Sequence, residues 1–195
     1  LNLIDLSGRD EGYFATIEKI LDIVHNKALD LPETVIADVE YLIALSRYDA
    51  AIARISEYAK THTPDAAIFY YLAYVFYSKG DFPSATAQLS RISDDQAFSP
   101  KVFYLRAQIK EKYGEKDAAL EDYARALKIQ PDHARSRIKI AKIFFQRGDL
   151  KKAAEESARV LAKPELLEPK VFAEALYIRG LLLKAAKSFV KALSD

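Results

Sequence analysis

The chain has 195 residues, 29 Lys and Arg against 28 Asp and Glu, a formal net charge of +1, half of its residues hydrophobic, and no Cys, Met or Trp. This balance belongs to a folded chain with material for a core and not to a disordered one, and the near-zero net charge gives no global attraction for nucleic acid. Missing Cys excludes disulfides, thiolate metal sites and cysteine nucleophiles. No run of eighteen apolar residues occurs and no basic-then-apolar leader opens the chain, so membrane insertion and an intact signal peptide are not expected and a cytoplasmic location is. Opening on Leu without any Met, the chain reads as an excerpt of a longer protein.

An internal period organises the rest. Gly80, Gly114 and Gly148 are 34 residues apart, as are Ala51, Ala85, Ala119 and Ala153, and Ala73, Ala107 and Ala141 with Val39 one unit earlier. In chain order this predicts an N-terminal capping helix or degenerate half repeat over 1–31, where Gly12, Phe14 and Leu21 fall in phase. Four units follow, at 32–65, 66–99, 100–133 and 134–167. Each holds an apolar stretch of helical period, a turn signal such as Lys79-Gly80-Asp81, and a second such stretch, which together predict two antiparallel helices. The glycines stand where the first helix must stop, often at positive φ. Ser46 in place of Gly weakens that signal in the first unit, and Asp38 occupies an apolar slot there. Residues 168–195 predict a degenerate repeat or a capping helix. Phe172, Leu176, Leu182, Leu183, Ala186, Phe189 and Leu193 fit one continuous amphipathic helix, while Ala173 to Gly180 and Lys184 to Leu193 fit two.

The small and large residues follow a known series. Phe69, Leu72, Ala73, Phe76, Ala85 and Leu89 in the second unit, Phe103, Ala107, Ala119, Tyr123 and Pro131 in the third, and Arg137, Ile140, Ala141, Phe144 and Ala153 in the fourth resemble the tetratricopeptide repeat. Val35, Val39, Leu42, Ala51 and Ile55 give a poorer first copy. The resemblance implies an all-α fold, a right-handed α-α superhelix or solenoid of such helix pairs, with a concave surface lined mainly by first helices.

Catalytic material is thin. His25, His62 and His133 share no helix-face spacing, so a histidine metal cluster is not expected and they read as solvated surface groups. Gly-rich phosphate loops are absent. The acid pairs Glu121-Asp122 and Glu155-Glu156 lie on second helices amid Lys and Arg and read as solvated faces. The chain is therefore expected to be no enzyme and to use no cofactor or metal.

Residues 66–77 contain no charged or amide side chain. Phe69, Leu72, Ala73 and Phe76 are expected inside the helix pair, and Ile68, Tyr71 and Val75 against the preceding unit. That leaves Tyr70, Tyr74 and Tyr77 as one stripe on the remaining side. The resemblance places this side in the groove, where tyrosines suit recognition of a peptide. The same frame adds Lys101, Tyr104 and Gln108 from the third unit and Arg135, Ile138, Lys142 and Phe145 from the fourth. Residues 1–99 carry a net charge of −7 and residues 100–195 one of +8, an asymmetry that would orient an acidic peptide or favour head-to-tail self-association. A related subset of the family grips C-terminal carboxylates with groove asparagines, but Asn2 and Asn26 precede the regular units. The expected partner is thus a segment of another protein, in an adaptor or an assembly or secretion chaperone. The alternatives are a homo-oligomeric structural scaffold and, less favoured because Arg137 faces away from Arg135 and Lys142, a nucleic-acid-binding solenoid.

Overall fold

The computed structural model describes residues 31–95 and 99–194, with side chains to residue 187, and the isolated positions Thr16 and Lys19. The remainder of the expected N-terminal cap, including Gly12, Phe14, Leu21 and His25, lies outside the described residues. Every regular element among the described residues is helical, as the repeat predicts, and the chain divides into two compact units, residues 1–97 and 98–195. In the first, α1 (Pro32–Ala44) packs on α2 (Tyr48–Thr61) and α3 (Ala66–Lys79) on α4 (Phe82–Leu89). In the second, α5 (Pro100–Lys112) pairs with α6 (Lys116–Ile129) and α7 (Ala134–Gln146) with α8 (Leu150–Leu161). A 3-10 turn over Pro164–Leu166 then leads to α9 (Pro169–Ser194), which packs on both α7 and α8. The C-terminal stretch that sequence left open between two helices and one is a single helix of 26 residues.

The turn inside each pair has one geometry. Ser46, Gly80, Gly114 and Gly148, spaced by 34, all have positive φ (58°, 87°, 79° and 79°). In each case the next backbone N–H reaches back five residues: Arg47 to Leu42, Asp81 to Phe76, Glu115 to Lys110 and Asp149 to Phe144, at 2.8–3.0 Å. This satisfies the last carbonyls of the first helix and reverses the chain. Ser46 therefore makes the same turn as the glycines although its Cβ disfavours it. The following helix is capped where the sequence supplies an acceptor: Asp81 accepts from the Ser84 N–H at 3.0 Å and Asp149 from the Lys152 N–H at 3.1 Å. Hydrogen bonds from Ser84 hold the Asp81 carboxyl below its usual range, and the Lys152 backbone N–H does the same for Asp149. Asp65 and Ser99 cap α3 and α5.

The periodic small residues are enclosed between the helices. Val39, Ala51, Ala73, Ala85, Ala107, Ala119, Ala141 and Ala153 are all fully buried, and Ala175 on α9, 34 residues after Ala141, is as well. Without bulk at these positions the axes come together and larger neighbours close around them. Ala107, Ala119, Tyr123, Ile140 and Ile143 form one core cluster in the second unit; Ile138, Ala141, Val160, Val171, Ala175 and Ile178 form another.

Two expectations about the surface are corrected here. Asp122 is not on a solvated face: it is 1% exposed, with Lys110 Nζ 2.6 Å from Oδ2 and Arg125 Nη1 3.4 Å from Oδ1. Glu156 is mostly enclosed as well, paired with Arg137 at 2.6 Å and Arg159 at 2.5 Å, while Glu121 and Glu155 are exposed. Helical rotation puts the two members of each acid pair on different faces, and a cation from the facing helix stabilises the inner one. Asp38 in its apolar slot follows the same rule, with Arg54 Nε 2.7 Å away. The second-helix members, Arg54, Asp122 and Glu156, occupy one register position, and Gln88 completes the series at intervals of 34.

Candidate functional site

In the first unit the tyrosine stripe lies on α3, whose faces are set by what they pack against. Ile68, Tyr71 and Val75 are buried, and the Tyr71 hydroxyl donates to Glu40 Oε1 on α1 at 2.6 Å. Burial pushes the Tyr71 phenol well above its ordinary pKa, and Glu40 adds to the effect. Phe69, expected inside the pair, is half-buried, with the Arg91 guanidinium 3.9 Å from its ring centroid. Of the stripe itself, Tyr70 is 6% exposed. Its ring packs edge-on against Tyr71, with centroids 5.2 Å apart, and nearly parallel to Tyr74 at 6.3 Å. Tyr70 therefore offers little surface to a partner, because its ring is spent on its neighbours. Tyr74 and Tyr77 remain half-exposed, Tyr77 against Phe82 at 5.7 Å.

In the second unit Lys101, Tyr104 and Gln108 are half-buried on α5. Tyr104 packs against Tyr123 at 5.6 Å and meets His133 at 5.5 Å. His133 is not the solvated histidine expected from sequence. Its Nδ1 lies 2.8 Å from Ser136 Oγ, and its pKa is pushed down to about 4, first by burial and then by the Arg135 charge. His62, by contrast, is exposed and stacks on Tyr58. Arg135 is held by Glu168.

The remaining three expected residues come together. Ile138, Lys142 and Phe145, one stripe along α7, line a cleft of about 350 Å³ with Lys139 and Gln146 of the same helix. Glu174, Tyr177, Ile178 and Leu181 of α9 form the opposite wall. Ile138 and Ile178 are buried and make the floor, so Ile138 is core more than contact surface, a correction to its expected role. Phe145 and Leu181 are half-buried, and Tyr177 is 67% exposed at the rim. Among the described residues Lys139, Lys142 and Glu174 have no ion-pair partner, whereas Arg137 is engaged twice over, by Glu156 and by the Pro131 carbonyl at 3.0 and 2.5 Å.

The α9 wall was not anticipated. Ala175 gave a signal, since it continues the period of Ala141 and so marks α9 as standing where a further first helix would. The residues used are those on the side of α9 that meets α7, which only the packing selects. Among the described residues no group of His, Asp and Glu is arranged to hold a metal ion, and no helix is long and apolar enough to cross a membrane.

The family model for the tetratricopeptide repeat matches residues 25–177. Comparison with curated proteins gives no match. Among solved structures, the Cut9-Hcn1 hetero-tetramer of APC/C aligns over 94% of this chain and 35% of its own, with a TM-score of 0.77 and 13% identity. BtubC from P. vanneervenii aligns over 93% and 85%, with a TM-score of 0.68 and 17% identity. YrrB, described as having an unusual peptide-binding site, aligns over 85% and 86%, with a TM-score of 0.58 and 16% identity. At these identities the likeness is one of fold.

Proposed function

The chain belongs to the tetratricopeptide repeat family, whose members bind other proteins or peptides, and on that premise we propose that it is a non-catalytic scaffold receiving a segment of another protein in the cleft between α7 and α9. The observation that carries this is the cleft itself: an apolar floor, aromatic side chains on both walls, and charges that pair with nothing among the described residues, the composition of a recognition pocket. A side chain entering it would cover Phe145, Leu181 and the exposed ring of Tyr177, the kind of burial that dominates binding energetics. Its lining includes no Ser, Thr or His, so it supplies no hydroxyl nucleophile partnered by an imidazole base.

The basic residues argue for protein over nucleic acid. Arg135, Arg137 and Arg147 are tied to Glu168, Glu156 and Asp117, and the two cations of α7 left uncommitted, Lys139 and Lys142, border an apolar cleft instead of continuing a phosphate track along the helix. The same accounting bears on the tyrosines of α3: Tyr74 and Tyr77 keep partial exposure and are a second, smaller contact surface in this proposal.

A photocrosslinking residue at Gln146, beside the cleft, tests the proposal against one at exposed Glu155 on α8. The expected result is a discrete adduct from position 146 alone that disappears in Phe145→Ser. Equal labelling from both positions, indifferent to Phe145, would remove the cleft from the function.

A further inference from the structure

We infer that the occupant of the α7–α9 cleft is an acidic segment internal to its chain, anchored by a single large apolar side chain. This rests on the cleft being the binding site and adds the chemistry of what fills it.

Size comes first. At about 350 Å³ the cleft lies at the small end of ligand pockets, room for one leucine or phenylalanine side chain and the backbone that carries it. Ile138 and Ile178 give that side chain a floor without polar atoms to satisfy, and Phe145, Tyr177 and Leu181 enclose it.

Charge decides what flanks the anchor. Four basic residues lie on α7. Arg135 and Arg137 are committed to carboxylates of this chain, whereas Lys139 and Lys142 line the cleft without one. On α9, Lys170 stands four residues before Glu174 and Lys184 three after Leu181, so helical spacing extends the same stripe with a cation at each end. Glu174 is the one carboxylate among the lining residues. An apolar anchor with Asp or Glu on either side meets complementary charge along both directions of the cleft; a basic segment meets repulsion. Lysines are point charges without the planar fork that grips a terminal carboxylate in two bonds, and their spread along the stripe suits several side-chain carboxylates instead of one chain end.

The test uses the whole protein and a peptide capped at its N-terminus by fluorescein and amidated at its C-terminus, Gly-Asp-Glu-Phe-Glu-Asp-Gly, so that no free terminus can bind. Two companions carry Lys in place of the acids or Ser in place of Phe. Fluorescence anisotropy should show the acidic phenylalanine peptide binding about tenfold or more tightly than either companion, and weakening as NaCl rises from about 50 to about 300 mM. Lys139→Glu with Lys142→Glu, the first half-buried and the second exposed, should keep the helical circular dichroism spectrum and turn the preference toward the lysine peptide. If the lysine peptide binds wild type as well as the acidic one, with both lost in Phe145→Ser, the acidic specificity is wrong while the cleft stands. If none of the peptides binds detectably and position 146 gives no adduct, the cleft itself is wrong. If the protein alone sediments as an oligomer that Lys139→Glu dissociates, the occupant is a second copy and the inference is overturned.

Discussion

Lys110 on α5 and Asp122 on α6 meet across the helix pair with Nζ 2.6 Å from Oδ2, and the carboxylate is almost wholly enclosed. The register position of Asp122 recurs as Arg54 and Glu156, each ion-paired to the first helix of its own pair. The polarity differs between the two units: acid on the first helix and base on the second at Asp38 and Arg54, the reverse at Lys110 and Asp122 and at Arg137 and Glu156. Pairing α1 with α6 or α8 would bring Asp38 against another carboxylate, and pairing α5 or α7 with α2 would bring a cation against Arg54, which disfavours those two exchanges.

Removing one member of the enclosed pair should therefore be expensive. Asp122→Ala removes the enclosed carboxylate that Lys110, itself a third exposed, pairs with, and is expected to lower stability by about 1 to 2 kcal/mol, read from the midpoint of urea unfolding. The double variant Lys110→Met with Asp122→Leu should recover most of that loss, because the enclosed carboxylate is replaced by apolar volume and its partner no longer seeks it. A double variant as unstable as Asp122→Ala would show that packing, not charge, sets the effect.

The turn at Ser46 predicts a gain. Ser46 sits at φ 58° where the later pairs have glycine, so Ser46→Gly should relieve left-handed strain and raise stability by about 0.5 kcal/mol after the added freedom of the unfolded chain is subtracted. Gly114→Ala should do the opposite, by about 1 kcal/mol. A Cβ at Gly114 meets no atom within 4 Å, so this loss is conformational, and thermal melts of the two variants should move in opposite directions.

His133 makes stability depend on pH. Unfolded, the imidazole takes a proton near 6.5; folded, burial and the Arg135 charge delay protonation until about pH 4. Between those values the unfolded chain binds more protons, so acidification favours unfolding and stability rises with pH across the window. Urea titrations at steps between pH 7 and pH 4 should show this slope in wild type and a shallower one in His133→Gln. A His133 ring proton whose NMR shift titrates near 6.5 in the folded protein contradicts the burial argument.

The hydroxyl of Tyr71 joins α3 to α1 through Glu40. Tyr71→Phe keeps the ring and removes one charge-assisted hydrogen bond, so a loss of about 1 to 2 kcal/mol is expected in chemical denaturation. Tyr74→Phe, on the half-exposed side of the same helix, serves as the comparison and should change stability less.

The sequence alone determined the helix pairs, because thirty-four-residue periodicity in Ala and Gly encodes two local requirements: close helix approach, and a left-handed residue at the turn. Both are met within a few turns of chain and leave their mark as residue types at fixed spacing. The repeat frame also placed Ile138, Lys142 and Phe145 on one side of a single helix, and these three are among the residues lining the cleft. Tertiary structure alone decided which polar groups are enclosed, and here sequence misjudged Asp122, Glu156 and His133. Their environment comes from a facing helix or a neighbouring pair, which no periodicity within one helix reports. The same limit hid Tyr177 and Leu181. A pocket wall is defined by which face of α9 meets α7, and that orientation follows from packing around Ala141 and Ala175, not from any local pattern in α9.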